Sequence, residues 1–337
     1  MADSKQTPAP YAHIGVIGAG AWGTALAMVA AGAGRRVTLW AHEAEVVAAL
    51  NQARENSLFL PGIKMPPGLA ATGDLAEAAD AEALLLVAPA QLVRMMLTRL
   101  APHLKKGVPL MLCAKGIERG TGKLLSEVLA EVTPMAEPAI LSGPSFAGDV
   151  ARGLPTAVTI AARADVAARL QASMGSASFR PYASDDVTGV ALGGAAKNVY
   201  AIACGVVDGL GLGESARAAL LARGFAELAR LGEALGAKRE TLMGLSGLGD
   251  LVLTATSVSS RNFSFGLALG RRTSLDELRQ PGHPLAEGVE TAPALVARGH
   301  AMGVELPIAE AMADLLERKL PLGEALARLM TRRLKAE

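Results

Sequence analysis

Six residues near the start of the chain, Gly18-Ala19-Gly20-Ala21-Trp22-Gly23, constrain its fold more than any other feature. They follow a short apolar run over residues 13–17 and open an uncharged, helix-like run over 21–33. Glycine at the first position permits a tight turn. At the third it lets backbone approach a bulky anion, and at the sixth it lets helix and strand pack closely. A strand, a turn and a helix in that order bring unpaired N–H groups and the positive end of a helix dipole to one point, which suits a pyrophosphate. Three glycines can also make a plain strand-to-helix turn; the flanking strand and helix favour dinucleotide binding.

The remainder of the first half repeats this alternation. Short apolar runs over 36–40, 83–87, 109–113, 139–141 and 156–161 are each followed by a turn signal and a helix-like stretch, so parallel strands with crossover helices are expected. From about Asp186 the strand pattern stops, and 191–210, 214–235, 263–269, 291–301, 308–319 and 323–335 have helical periodicity. The expectation is an α/β chain: a flexible tail over 1–12, a Rossmann-type doubly wound sheet over 13–190, and an all-helical substrate and catalytic domain over 191–337.

Composition removes several classes of function. The 33 Lys and Arg against 32 Asp and Glu leave a net charge of +1, with no basic stripe for nucleic acid. Cys113 and Cys204 stand far apart and outside any Cys/His cluster, so neither a metal site nor a disulfide is expected, and the reducing cytoplasm is the default compartment. No charge occurs over residues 6–34, but glycines interrupt that stretch and split it into a strand and a helix, so no membrane insertion is expected.

Isolated charges mark the candidate chemistry. Lys197 is the only charged residue between Asp186 and Asp208 and lies in an apolar helix. Desolvation there lowers an ammonium pKa toward neutrality, as a proton donor or acceptor requires, whereas a snorkelling lysine would keep its head in water. Lys115 follows the apolar run over 109–114, at the carboxyl end of a strand where open sheets bind ligands. Asp250, set among glycines, either orients a lysine or a substrate hydroxyl or simply caps the next segment. Ser259-Ser260-Arg261-Asn262 combines hydroxyls, a guanidinium and an amide at a helix start, an anion clamp in composition or an ordinary capped helix. Ser142-Gly143-Pro144-Ser145-Phe146-Ala147 offers a hydroxyl and close backbone approach after another strand. Where an acidic residue would meet the adenosine ribose, the second strand is followed by Ala41 and His42, with Glu43 one step later. His42 suits a 2′-phosphate and Glu43 a 2′-hydroxyl, so NADP(H) is favoured over NAD(H) by a small margin.

Taken in order, these segments resemble the bacterial NAD(P)-dependent glycerol-3-phosphate dehydrogenase family. The matching blocks are Gly18-Ala19-Gly20-Ala21-Trp22-Gly23-Thr24, Ala114-Lys115-Gly116-Ile117-Glu118, Leu141-Ser142-Gly143-Pro144-Ser145-Phe146-Ala147, Gly193-Gly194-Ala195-Ala196-Lys197-Asn198, Gly247-Leu248-Gly249-Asp250-Leu251 and Ser260-Arg261-Asn262. The resemblance implies reversible reduction of dihydroxyacetone phosphate to sn-glycerol 3-phosphate, a phospholipid precursor, by a cytoplasmic homodimer. It implies that Lys197 donates or accepts the proton, and that Lys115, Gly143, Ser145, Lys197, Asp250, Ser260, Arg261 and Asn262 hold the triose phosphate. It also implies cofactor contacts from Ala21, Trp22, His42, Lys115, Ala147, Arg261, Leu285 and Glu287, beside Gly18, Gly20 and Gly23 of the loop. Two positions depart from the pattern: Ala21 stands where the family often has Ser, and Leu285 where it often has Val.

Two other functions compete. A 6-phosphogluconate or β-hydroxyacid dehydrogenase shares the architecture, but those families place an asparagine three or four residues after the lysine, where this chain has Tyr200 and Ala201. A non-catalytic NADP sensor would have no use for an isolated lysine beside an anion clamp.

Overall fold

The computed structural model describes residues 8–330 of the chain. Two compact units divide it: one runs to Ala114 and resumes over Leu125–Val190, and the other takes Lys115–Leu124 and the chain from Ala191 onward. The excursion at Lys115–Leu124 departs from the single block expected over 13–190. Its cause is packing, since Ile117 and Leu124 pair as an isolated antiparallel bridge and bury their side chains in the core of the second unit.

The first unit is built on β1 (His13–Ile17), β2 (Arg36–Trp40), β3 (Glu55–Asn56), β4 (Leu60–Lys64), β5 (Leu69–Thr72), β6 (Ala83–Leu86), β7 (Pro109–Leu112), β8 (Glu137–Ser142), β9 (Thr156–Ala162) and β10 (Phe179–Ser184). Eight of them form one sheet in the order β10-β9-β8-β7-β6-β1-β2-β5, while β3 and β4 make a separate antiparallel hairpin. Central strands such as HIGVI, ALLL and PLML are buried along their whole length, which is why they are continuous apolar runs rather than alternating ones. β1 lies inside the sheet, third from the β5 edge, and its Ile14 sits beside Val37 of β2 and Ala83 of β6. The sheet is Rossmann-like.

One pair breaks the expected parallel order, because β9 runs antiparallel to β8. The link between them holds only the five-residue helix Ala147–Ala151, which packs on the Ala21–Gly32 helix. With no full crossover helix, the chain re-enters the sheet at the edge it left. Two sheet strands escaped the sequence reading for local reasons: β5 is LAAT, poor in β-branched residues, and β10 carries Pro181, which a sheet interior excludes but an edge accepts.

The tail expected over 1–12 is not loose where it is described. Tyr11 is buried, its N–H donates to Ser173 Oγ at 2.8 Å, and the Arg169 guanidinium lies 3.9 Å from its ring centre while donating to the Ala9 carbonyl. Residues 1–7 lie outside the described part.

Among the described residues the second unit is helical apart from the Ile117–Leu124 bridge, as expected. Its main helix, Val187–Gly209, is apolar because it is a core element, and Gly205 lets the Arg261–Gly270 helix approach to backbone contact: a Cβ there would lie 2.1 Å from the Phe263 carbonyl oxygen. Among the described residues this one helix is long and apolar enough to cross a bilayer, and 94% of its apolar window is buried inside the protein. The last helix is described over Leu322–Met330, and residues 331–335 of the expected span lie outside the described part.

Candidate functional site

In the first unit, the loop after β1 takes the shape its glycines predict. Gly18 has a φ of +117°, and a Cβ on it would stand 2.2 Å from the Val87 carbonyl oxygen. A Cβ on Gly23 would stand 1.8 Å from the Gly18 carbonyl oxygen, so the helix can press against the turn only without a side chain there. Gly20 differs, because a Cβ there would meet nothing within 4 Å. The absent side chain leaves open space at the N-terminus of the Ala21–Gly32 helix, where no side chain caps the first N–H groups and no acidic residue occupies the first turn. This geometry fits the pyrophosphate of a dinucleotide, with Ala21 and Trp22 in that first turn.

Beneath the loop lies a residue the sequence reading missed. Asn56 is fully buried and donates through Nδ2 to the Ala19 carbonyl at 2.7 Å and to Thr24 Oγ1 at 2.8 Å. No local pattern announces it, since its partners are more than thirty positions earlier.

Past β2, Ala41 is buried, His42 is exposed with its ring centre 6.2 Å from that of Trp40, and Glu43 precedes the Ala44–Gln52 helix without capping it through its side chain. Ser145 donates to the Gly143 carbonyl at 3.0 Å, and Ala147 opens the short helix that follows.

The second unit gathers three of the isolated charges. Lys197 is 6% exposed and Asp250 1% exposed. Lys197 Nζ donates to Asp250 Oδ1 and, at 2.8 Å, to Thr254 Oγ1, while Lys115 Nζ donates to Asp250 Oδ2 at 2.7 Å. Asp250 is therefore gripped by two ammonium groups and does not act as a simple cap. It reaches them from the start of the Asp250–Thr256 helix, directly after one turn of π-helix over Leu245–Gly249, a distortion that re-aims the residue after it. Thr254, four residues on and on the same face, completes the set. That spacing was the available sequence signal for Thr254.

Burial sets the electrostatics. Loss of solvent pulls the Lys197 ammonium down to about 8, against the attraction of Asp250 and with a smaller push from the like charge of Lys115. Burial alone would raise Asp250, but Lys115 and Lys197 outweigh it and hold the carboxyl below its ordinary value. The arrangement is an ionised carboxylate balancing one of two lysines, the more buried of which is drawn down to about 8.

The anion-clamp residues divide by environment. Ser260 caps the Arg261–Gly270 helix by accepting the Phe263 N–H at 3.2 Å, and Arg261, first in that helix, is exposed. Asn262 is buried, donating to Asn198 Oδ1 at 2.9 Å and accepting the Gly288 N–H at 2.9 Å, and Asn198 in turn donates to the Lys115 carbonyl at 3.0 Å. This amide chain fixes Lys115 relative to the Lys197 helix and to Gly288, the residue after Glu287. Leu285 is exposed in the segment before it.

Comparison with known proteins identifies the family. Residues 13–168 match the family model described as NAD-dependent glycerol-3-phosphate dehydrogenase N-terminus, and residues 186–327 match that of the C-terminus. A glycerol-3-phosphate dehydrogenase (NAD(P)+) of Parvibaculum lavamentivorans is 59% identical over 91% of this chain and 92% of its own. One from Rhodopseudomonas palustris is 57% identical over 97% and 99%. The crystal structure of glycerol-3-phosphate dehydrogenase from Coxiella burnetii superposes with a TM-score of 0.90 at 38% identity, covering 96% of this chain and all of that one. With a glycine loop at a helix start in one unit, a buried Lys-Asp-Lys cluster in the other and both family models matched in order, the chain belongs to the NAD-dependent glycerol-3-phosphate dehydrogenase family.

Proposed function

We propose that this chain is an NAD(P)-dependent sn-glycerol-3-phosphate dehydrogenase that interconverts dihydroxyacetone phosphate and sn-glycerol 3-phosphate, with Lys197 as the proton donor and acceptor. The observation that carries the reading is the buried lysine held by Asp250 and Thr254. An ammonium has three N–H groups. Two are spent on those partners, and the third is the one offered to the substrate carbonyl oxygen.

The residues of the first unit that would hold the dinucleotide are Gly18, Gly20, Ala21, Trp22 and Gly23, and NAD(P)H, when bound, supplies the two electrons and the hydrogen that reduce the ketone carbon. Lys197 then has two tasks. It stabilises the negative charge that develops on the carbonyl oxygen, and it delivers a proton there. Two ammoniums and one carboxylate give the resting cluster a net positive charge, so giving up the proton also relieves the repulsion between Lys197 and Lys115. Asp250 holds the Lys197 Nζ in place throughout. Arg261, exposed and at a helix start, together with Ser260 and Asn262, is assigned to the phosphate of the substrate. Gly143, Ser145 and Lys115 are assigned to the substrate as well, and His42, Lys115, Ala147, Arg261, Leu285 and Glu287 to the cofactor.

The proposal extends to NADP(H) over NAD(H), because β2 is followed by Ala41 and the exposed His42 rather than by a carboxylate. It also extends to a cytoplasmic homodimer whose product feeds phospholipid synthesis, as the family resemblance implies. The test is loss of reduced-cofactor absorbance with dihydroxyacetone phosphate, with NADPH and NADH supplied in parallel. Oxidation that depends on the triose phosphate supports the reaction, and the ratio of rates decides the cofactor. Turnover of unphosphorylated hydroxyacids instead would return the assignment to the β-hydroxyacid class.

A further inference from the structure

Asn56 ends β3, beside the turn of the β3–β4 hairpin, yet its side chain bonds to the glycine loop. Its amide N–H groups go to the Ala19 carbonyl and to Thr24 Oγ1, and its Oδ1 accepts the Phe59 N–H at 3.2 Å, closing the turn of its own hairpin. Thr24 is itself fully buried and also donates to the Ala19 carbonyl, at 3.3 Å. The Ala19 oxygen thus takes two side-chain hydrogen bonds where a loop carbonyl ordinarily faces water.

That pinning fixes more than one atom. The chain has no cis peptide among its described residues, and in a trans peptide the carbonyl and the following N–H point in opposite directions. Holding the Ala19 oxygen against Asn56 therefore aims the Gly20 N–H away from it. Gly20 is also the loop residue whose missing Cβ leaves open space.

We propose that Asn56 is a positioning residue for the dinucleotide: by locking the Ala19–Gly20 peptide it holds the loop N–H groups in the orientation that receives the pyrophosphate. This rests on the reading of the glycine loop as the dinucleotide site. The saving comes from preorganisation, since a loop already held in its binding shape loses no freedom when the anion arrives. Asn56 touches no reacting atom and acts through Ala19 and Gly20.

The test measures ADP-ribose and NADPH affinity by quenching of tryptophan fluorescence in Asn56→Ala, beside the melting temperature and the KM for dihydroxyacetone phosphate at saturating cofactor. The expected result is a dissociation constant raised about tenfold or more for both probes, with the triose phosphate KM unchanged. Leu60→Ala, which loosens the same hairpin opposite Asn56 but keeps the amide, is the control. It is expected to lose melting temperature with little change in affinity. Should Asn56→Ala not fold, Thr24→Val removes one of the two acceptors and is expected to weaken both probes by about threefold, for the loss of a single hydrogen bond. Unchanged affinity in a folded Asn56 variant, or an equal loss in Leu60→Ala, overturns the assignment. A wild-type protein that binds neither probe overturns the dinucleotide reading beneath it.

Discussion

Lys115 and Lys197 hold the two oxygens of one carboxylate: Lys115 donates to Asp250 Oδ2 at 2.7 Å and Lys197 to Oδ1. Two like charges are tolerated in so buried a place because Asp250 stands between them. Lys115 also bears on the protonation of Lys197. Lys115 is one of the groups that lower Lys197, after burial itself.

The pH dependence follows from that cluster. Reduction needs Lys197 protonated, so its rate should fall as pH rises through about 8, while oxidation, which needs the free amine, should rise over the same range. Lys197→Ala should remove both limbs and lower kcat by a factor on the order of 10². A folded Lys197→Ala protein with near-normal turnover would end the assignment of Lys197 as the proton donor.

Removing Lys115 should move the profile, not just weaken it. In Lys115→Met the like charge that depresses Lys197 is gone and Asp250 is left to Lys197 alone, so the alkaline limb of reduction should shift to higher pH. A pH profile of kcat checks this; a limb that stays put or moves to lower pH contradicts the coupling.

Glycines of the loop should separate folding from binding. Gly20→Ala should melt like the wild type, because its Cβ meets no protein atom, yet bind NADPH more weakly. Gly23→Ala should lose stability by about 1–3 kcal/mol, because its Cβ would press into the Gly18 carbonyl. Denaturant unfolding and cofactor titration measure the two effects, and equal stability losses at both positions would contradict the geometry.

Arg261→Ala should raise the KM for dihydroxyacetone phosphate with a smaller effect on kcat, since its exposed guanidinium is assigned to ground-state binding of the phosphate. Some weakening of cofactor binding is expected if the same side chain reaches both ligands. Michaelis constants unchanged for both would take Arg261 out of the site.

Glu227 introduces a pH dependence of stability away from the reaction. Its buried carboxyl accepts the Ile308 N–H at 2.8 Å and the Ala309 N–H at 3.3 Å, and burial pushes it up from 4.5 to about 7. An acid raised on folding gives stability that is complete below its unfolded pKa and lost as pH rises through the folded one. Between pH values of about 4.5 and about 7 the loss should reach up to about 3 kcal/mol, and Glu227→Gln should flatten it. Melting curves across that range that run parallel for the two proteins would show that Glu227 does not titrate there.

Much of this molecule was legible in its sequence. The glycine loop could be read residue by residue, because its positive-φ turn at Gly18 and the close contact of Gly23 with the Gly18 carbonyl are made within six positions. The buried strands announced themselves as apolar runs, and Lys197 as a lone charge on an apolar helix. Other features were decided by packing alone. β9 turned antiparallel because its link holds too short a helix to cross the sheet, and Lys115–Leu124 joined the second unit because Ile117 and Leu124 find their apolar partners there. The partner of Lys197 lies 53 positions away, and Asn56 braces a loop 37 positions before it. Backbone shape follows from adjacent side chains, whereas the pairing of buried polar groups is fixed only when the core closes and each must find an acceptor inside it.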